Sequence, residues 1–311
     1  MTLGGAYLSR IGLGVGLSVG GVEGGPPFPL LLPAEAPSNQ DMFVAFGTVK
    51  LNSAYTGPCL RVRRESDNAE IDVGFVPAPW NPEEVSIVDM GAISAFCESS
   101  DGYMPVCYNQ GGANPNNAQR ATAAGQPKIY DAATGGAPGY TPNGVPCFLG
   151  QGEALFIEGG DYNARSHLAM VAHASRQWGD AFITTTLPRS GMRYETDSGI
   201  LYLGMGDGRH ASKVTAPVVP ADKHLVAFSR WREGGTGFFR CTAGSTRVED
   251  VEDVPANGLG MRMFHVAWLG SGLLVAGVVW WWSSSSSHPA MTNEQCDEAF
   301  VRMRRLLGVT A

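Results

Sequence analysis

Short runs of β-branched and aromatic residues recur between residues 41 and 282, and each run is bounded by Gly, Pro, Asn or Asp. Such runs are typical of β-strands, because branched and aromatic side chains pack well on a pleated surface. Many short strands joined by tight turns predict an all-β sandwich of the jelly-roll type. The strands predicted in this way are 44–51, 59–63, 154–157, 167–173, 181–186, 199–203, 224–229, 237–241 and 264–269.

One apolar run near the end of the chain, residues 273–282, is longer and is continuous rather than alternating. A continuous run is expected of a strand that is covered on both faces. It ends in Trp280, Trp281 and Trp282, and successive strand positions alternate between faces. At least one of the three is therefore expected to face a partner or another covered surface, which makes the triplet a candidate interface.

A short C-terminal helix is predicted over residues 292–308. Thr292 and Gln295 have the spacing of a capping box, and the acidic residues come early and the arginines late, as the helix dipole favours. The residues that give this helix one apolar face are Phe300, Met303, Leu306 and Leu307.

The first 40 residues differ from the rest of the chain. They alternate Gly with Leu, Val and Ile and then become rich in Pro, with too little side-chain volume for a core of their own. We expect an extended arm or anchor over residues 1–40 that lies on a neighbouring subunit, with a flexible tail as the alternative. The remaining residues, 41–311, are expected to form one β-sandwich domain. The apolar stretch 11–21 lacks a cleavage motif and resembles a signal peptide poorly.

Composition supports many turns and a real core. The chain has 41 Gly and 20 Pro, and its 44% hydrophobic residues are enough for a packed interior. The Gly-, Asn- and Pro-rich segment 108–152 is expected to be a surface excursion. No segment is long and apolar enough to predict a membrane span.

The net charge of −7 argues against nucleic acid as a partner. The basic run Arg61, Arg63 and Arg64 is followed at once by acidic residues, so a strand face with local ion pairs is expected there. Six cysteines are present without a zinc-like spacing. Their thiols are expected to be free in a reducing cytosol, and a Cys97–Cys107 disulfide is the alternative.

Residues 49–130 resemble a known family. The stretch 51–75, the segment from Cys107 to Gln110 and the stretch 116–129 are similar to concanavalin A-like (laminin-G-like) jelly-roll domains of phage tail and head-fibre proteins, and to the catalytic domain of arabinofuranosidase B. The resemblance implies a Tyr-Asp-Gln-Ser-Gly-like turn and a Gln-Pro-Lys-Ile strand. This chain departs from the turn at Asn109, where the family has Asp, and at Gly111-Gly112, where the family has Ser-Gly. The resemblance therefore does not carry over a role of that Asp in ordering the turn or holding a cation.

The resemblance implies two functions. The first is a bacteriophage virion structural protein of the tail, fibre or capsid surface that displays a lectin-like domain and attaches to a host glycan. The second is an arabinofuranosidase-like glycoside hydrolase. A retaining hydrolase needs two carboxylates about 5 Å apart. The acid expected from the resemblance would stand at position 199, where this chain has Gly199. Glu195 and Asp197 lie nearby in the sequence as displaced substitutes. Because the expected acid is missing, the sequence favours a protein that is not an enzyme and supports no catalytic residue.

Sugar recognition usually needs aromatic platforms beside polar groups at strand ends. The candidate residues for a carbohydrate site are Trp178, Asp180, Tyr194, Tyr202, Arg230 and Trp231. No metal-ligating motif is present, and calcium is a minor alternative at the acidic patch of Glu249, Asp250, Glu252 and Asp253. The expected partners are other virion proteins, contacted through residues 1–40, and further copies of the chain. The expected location is the virion, assembled in the host cytoplasm.

Overall fold

The computed structural model describes residues 43–52, 55–111, 117–150 and 301–306, together with the backbone of the strands between residues 155 and 283. Side chains are described for residues 45–52, 55–111, 117–150, 274, 276, 277 and 301–306. The predicted arm, residues 1–40, lies outside the described residues. No helix within the described ranges is long and apolar enough to cross a membrane.

Strands dominate the described chain. The first group is β1 (Phe43–Gly47), β2 (Leu60–Arg64), β3 (Glu70–Val73), β4 (Phe75–Ala78), β5 (Asn81–Val88), β6 (Gly102–Cys107), β7 (Ala118–Gln119), β8 (Lys128–Tyr130), β9 (Gly139–Tyr140) and β10 (Pro146–Leu149). The second group is β11 (Leu155–Ala164), β12 (Ser166–His173), β13 (Ile183–Thr185), β14 (Gly191–Glu195), β15 (Ile200–Gly204), β16 (Val214–Ala216), β17 (Leu225–Glu233), β18 (Thr236–Ala243), β19 (Thr246–Glu252), β20 (Leu259–Val266) and β21 (Leu274–Ser283). Each of the nine runs predicted as strands, and the apolar run 273–282, overlaps one of these strands.

Strand β21 lies inside a sheet. One of its edges pairs with β12, and the other is shared by β1 and β10. From β12 the sheet continues through β17 and β18 to β19. From β10 it continues through β8, β6 and β2 to β3.

A second run of strands branches from β6. The C-terminal end of β6 pairs with β7. From β7 the pairing continues in order through β11, β20, β13, β14 and β15 to β16. Strand β16 lies close to β18 and β19, so the last strands of the two runs approach each other there. All of these pairings are antiparallel, which confirms the predicted all-β sandwich.

Where β1 pairs with β21, described residues are buried on both faces of β1. Ala45 and Phe46 lie on opposite faces of β1 and are 0% and 1% exposed. A Cβ added at Gly47 would lie 2.8 Å from the carbonyl oxygen of Ala276, so no larger residue fits this close approach. Leu51 packs over Gly47 and Gly277. In β21 the consecutive residues Ala276 and Gly277, on opposite faces, are both buried, as the continuous apolar pattern predicts for these positions.

A short helix, α1 (Met90–Cys97), was missed by the sequence analysis. The Asp89 carboxylate accepts a hydrogen bond of 2.9 Å from the amide of Ala92 and caps its N-terminus. Ile93 and Cys97 are buried one turn apart on its inner face. Eight residues with one apolar edge give too weak a helical period to stand out among strands.

The prediction of a surface excursion over residues 108–152 was wrong. The segment carries β7, β8, β9 and β10, and its Ile129, Val145 and Phe148 are at most 1% exposed. These strands are so short that the turn residues between them dominate the composition. The Gln-Pro-Lys-Ile strand implied by the family resemblance is confirmed as β8. Three of the four residues of the acidic patch, Glu249, Asp250 and Glu252, belong to strand β19.

The C-terminal helix is confirmed where it is described. Residues 301–306 are helical, with Met303 0% exposed and Leu306 buried. The capping box at Thr292 lies outside the described residues.

Two adjacent amides of the predicted turn hold the chain after β1 against β6. The Gln110 Oε1 accepts the Leu51 amide at 2.6 Å, and its Nε2 donates to the carbonyl oxygens of Gly47 and Val49 at 3.3 and 3.1 Å. The Asn109 Oδ1 accepts the amide of Ala45 at 3.0 Å and also that of Gly111. An oxygen acceptor therefore orders this turn, and Asn supplies it as well as the Asp of the family would.

We expect Gln110→Ala to lower the free energy of unfolding by about 2–4 kcal/mol. The change leaves buried main-chain groups of Leu51, Gly47 and Val49 without their partner and opens a cavity. Urea unfolding followed by tryptophan fluorescence measures the loss. The matched control is Gln119→Ala, because Gln119 is exposed on β7. Equal midpoints for the two variants would show that the Gln110 amide does not stabilise this contact.

Candidate functional site

An acidic groove of about 790 Å³ lies among three segments of the described chain. They are the turn after β2, the end of α1 with the residues that follow it, and the turn after β8. The groove residues are Arg64, Glu65, Ser66, Asp67, Cys97, Glu98, Ser99, Ser100, Asp101, Asp131, Ala132 and Ala133. The Glu65 amide donates to the carbonyl oxygen of Asp101 at 3.0 Å and so joins the first two segments.

One lysine lies between two carboxylates of this acidic groove. The Lys128 Nζ is 2.5 Å from Asp101 Oδ2 and 3.6 Å from Asp131 Oδ1. The other oxygen of Asp101 accepts the Ala132 amide at 2.9 Å. Burial raises the pKa of Asp101, but the hydrogen bonds from Lys128 and Ala132 lower that pKa more, so it ends below its ordinary value.

This arrangement does not suit a general acid. A glycosidase acid must hold its proton near neutral pH, which requires a raised pKa. Asp101 is instead kept ionised by a permanent cation and a backbone N–H. Among the described residues, no three His, Cys, Asp or Glu side chains are placed to bind a metal ion. Asp101 therefore serves as a hydrogen-bond acceptor in the acidic groove rather than as a general acid.

The basic run beside the acidic groove is paired as the sequence analysis predicted. Arg61 binds both oxygens of Asp72, at 2.7 and 3.0 Å, and Arg64 binds Asp67 in the same way. The bond from Arg64 lowers the pKa of Asp67 to about 2. Arg63 donates to Gln126 and lies over the Tyr103 ring at 5.1 Å.

Tyr108, directly after β6, extends this network. Its hydroxyl donates to Asp72 Oδ1 at 2.7 Å. Burial, followed by the bond to Asp72, raises the pKa of Tyr108 to about 12. Asp72 therefore binds a guanidinium and a phenol at once on an exposed strand edge.

Cys97 and Cys107 are both free and buried, so the alternative of a disulfide between them was wrong. Strand β6 separates them, because Cys97 packs against Gly102 at its beginning and Cys107 ends it. An extended strand of this length spans roughly 15 Å, and a disulfide needs Cα atoms within about 7 Å.

The predicted carbohydrate residues fall on separate parts of the fold. Trp178 and Asp180 lie outside the described residues. Tyr194 and Tyr202 lie on the paired strands β14 and β15, where the register aligns Tyr194 with Leu201 and Arg193 with Tyr202. The two tyrosine positions therefore occupy opposite faces of this hairpin.

Arg230 and Trp231 are consecutive residues of β17, opposite Phe239 and Phe238 of β18. Strand β17 belongs to the run that contains β21, whereas β14 and β15 belong to the other run. The side chains of these strands lie outside the described part, so the carbohydrate site stays a prediction.

The remaining sequence candidates are placed only by their backbone. Trp280, Trp281 and Trp282 belong to β21, and Trp280 aligns with Val44 on one side and Ala169 on the other. Glu195 ends β14 opposite Ile200, and residues 196–199 are not described. The interface role of the tryptophans therefore stays a prediction as well.

The candidate calcium ligands Glu249, Asp250 and Glu252 lie along β19, and Asp253 follows outside the described residues. Consecutive strand positions alternate between faces, so Glu249 and Asp250 do not share one. The four acids therefore do not form the single patch that the sequence suggested.

Sequence reasoning missed Asp101, Lys128 and Tyr108. The Lys128–Asp101 pair joins residues 27 positions apart on different elements, and no spacing rule predicts it. Tyr108 belongs to the turn motif of the family resemblance. Its position directly after β6, a strand that borders acidic residues, was the signal that could have identified it.

No family model matches the chain, and no curated protein sequence matches it. Solved structures do. One is a GH54 α-L-arabinofuranosidase soaked with a cyclic sulfate inhibitor, with a TM-score of 0.56 and 13% identity. A second is a mutant GH54 α-L-arabinofuranosidase soaked with 4-nitrophenyl α-L-arabinofuranoside, with a TM-score of 0.53 and 13% identity. A third is an arabinofuranosidase complexed with arabinofuranosyl-α-1,2-xylobiose, with a TM-score of 0.53 and 14% identity.

Each of these three matches covers 85% of this chain and 62% of the matched chain. The chain therefore spans less than two thirds of the arabinofuranosidase chains that it resembles. At this level of identity the likeness shows a shared β-sandwich fold, and function does not follow from fold alone.

We expect Asp101→Asn to lower the free energy of unfolding at neutral pH by about 1.5–3 kcal/mol, because Lys128 loses its charged partner. The folded pKa of Asp101 is depressed, so its contribution is present above the ordinary value of 3.8 and is lost as pH falls through the folded pKa. Denaturant titrations of both proteins at pH 7 and at pH 3 measure this.

The wild-type protein and the Asp101→Asn variant should therefore differ less at low pH. Asp72→Asn is the control, since its pair with Arg61 is exposed and should contribute about 0.2–1 kcal/mol. A difference between wild type and Asp101→Asn that stays constant across pH would argue against the ionised pair.

We expect Cys59, Cys97, Cys107 and Cys147 to resist thiol reagents in the folded protein. Burial raises the pKa of each thiol, to about 11 for Cys97 and about 12 for Cys107 and Cys147. The reactive thiolate is therefore scarce at mildly alkaline pH. Alkylation with and without denaturant, mapped by mass spectrometry, tests each position. A Cys97–Cys107 peptide recovered without reductant would contradict the free thiols.

Proposed function

We propose that this protein is a carbohydrate-active β-sandwich that acts on α-L-arabinofuranosides as a glycoside hydrolase. The observation that carries the proposal is the fold shared with arabinofuranosidases over 85% of the chain. The resemblance of residues 49–130 to the catalytic domain of arabinofuranosidase B also supports it.

The proposed carboxylates belong to the β14–β15 hairpin. Glu195 is the last residue of β14, and Asp197 follows two positions later in the connection to β15. Retaining hydrolysis needs one carboxyl group as acid/base and a second as nucleophile. The carboxylates of Asp101 and Asp131 in the acidic groove both lie beside Lys128, which makes the hairpin acids the better candidates.

The test is hydrolysis of 4-nitrophenyl α-L-arabinofuranoside by the full chain. We expect Glu195→Gln and Asp197→Asn each to lower kcat about 100-fold or more, because acid–base and nucleophilic roles contribute at least that much. The control is Glu70→Gln, which removes an exposed carboxylate whose nearest cation, on Arg61, is 3.8 Å away. That variant should retain wild-type turnover.

Absence of turnover by folded wild-type protein would overturn hydrolysis. Binding of arabinofuranosides without turnover, measured by tryptophan fluorescence, would instead indicate a lectin-like protein. Trp178→Ala and Trp231→Ala would then test the predicted carbohydrate residues.

The virion role is a separate hypothesis. It rests on the family resemblance of the sequence and on the predicted arm, residues 1–40. The fold comparisons favour the hydrolase over it. Display on a virion, contacts with other virion proteins through the arm and self-association through Trp280–Trp282 stay predictions.

A further inference from the structure

The turn between β9 and β10 places Asn143 directly before a glycine with positive φ, Gly144. The Gly144 amide donates to the Thr141 carbonyl oxygen at 2.7 Å, and the Thr141 amide donates to that of Val145 at 2.9 Å. Gly144 has φ +81°, in the left-handed region that favours glycine. This is the pattern of a type I hairpin turn closed by a glycine bulge, and Asn143 stands at its corner.

The side chain of Asn143 holds the C-terminal helix. Its Nδ2 donates to the carbonyl oxygen of Arg305 at 2.8 Å and to that of Leu306 at 3.4 Å. Carbonyls in the C-terminal part of a helix carry a partial negative charge, which an N–H donor stabilises. These bonds join residues more than 160 positions apart. The turn therefore acts as a clasp on the helical segment 301–306, whose Met303 is completely buried.

We propose that Asn143 is a deamidation site and that its deamidation releases the helical segment 301–306 from the β9–β10 turn. The backbone nitrogen of Gly144 attacks Cγ of Asn143, a C–N bond forms, and the Cγ–Nδ2 bond breaks. Ammonia leaves with the amide proton. Solvent water then opens the succinimide to aspartate or isoaspartate. No group is oxidised or reduced, and the missing Cβ of Gly144 leaves the nitrogen open to this attack.

The product cannot remake the clasp. The amide donates two hydrogens, whereas the ionised carboxylate is an acceptor only. It would face two helix carbonyls, so a hydrogen bond is replaced by repulsion between negative groups. The isoaspartate form also lengthens the main chain within the tight turn.

The folded turn restrains this reaction. The Gly144 nitrogen must first leave the Thr141 carbonyl oxygen, so attack proceeds from a transiently opened turn. Each opening thus carries a chance of permanent release, which makes the clasp a one-way conformational switch.

The experiment is incubation of the full chain in mildly alkaline buffer, followed by peptide mapping and hydrogen–deuterium exchange. The sequence contains a second Asn-Gly pair, Asn257-Gly258, so mapping must assign the mass change to a position. We expect the change at Asn143, together with about tenfold faster exchange in residues 301–306, as loss of a hydrogen bond next to added charge implies.

Three variants separate the chemistry from its consequence. Asn143→Asp should show fast exchange in residues 301–306 without incubation. Asn143→Gln, which keeps an amide donor but cyclises poorly, should stay unchanged on incubation at that position. Asn257→Gln should behave as wild type at Asn143.

Two results would overturn the proposal. One is an Asn143 that remains intact while the urea-unfolded chain deamidates there under the same conditions. The other is a deamidated or Asn143→Asp protein whose residues 301–306 exchange as slowly as those of fresh wild type. Both readouts are independent of any hydrolase activity.

Discussion

The buried side-chain amide of Gln110 is the contact on which the described part of the sandwich depends. After β1 the chain bends away at Gly47, where its main chain comes close to Ala276, and so leaves the ladder with β21. Buried main-chain groups outside a ladder must find partners elsewhere. The side-chain amide of Gln110 supplies hydrogen-bond partners for the main chain of Gly47, Val49 and Leu51, as a neighbouring strand would do in a ladder.

The Gln110 amide also fixes the position of β6 relative to β1, although these two strands do not pair with each other. Gln110 follows β6, and its backbone amide donates to the Ala45 carbonyl oxygen in β1. Leu51 is thereby held over the Gly47 and Gly277 pair, which covers one face of β21. Since β21 also pairs with β10 and β12, this contact supports the centre of the sheet rather than its rim.

Local pattern was enough to place strands but not to pair them. The strand runs were found because branched and aromatic residues stood out against turn residues, as in β12 and β17. The pairing of β1 with β21 joins residues more than 220 positions apart, and no periodicity carries that information. In residues 108–152 the same criterion failed, because strands as short as β8 and β9 are outnumbered by the glycines and prolines that turn them.

The pairing of charged side chains could be predicted from the sequence only where the two partners are close together along the chain. Within one hairpin, the three arginines bind partners that are near them in the sequence. The pairs are Arg61 with Asp72, Arg63 with Asn68 and Arg64 with Asp67. Lys128 finds Asp101 only because β8 lies beside β6. The acidic groove is assembled from three polar segments in this way, and each alone reads as an ordinary turn.

These pairings narrow where hydrolytic chemistry could occur. Asp67, Asp72 and Asp101 are each held by a cation that lowers the pKa, and so none can store the proton that a glycosidase acid must give. Glu195, at the end of β14, is the candidate carboxylate of the proposed hydrolase whose backbone position is defined.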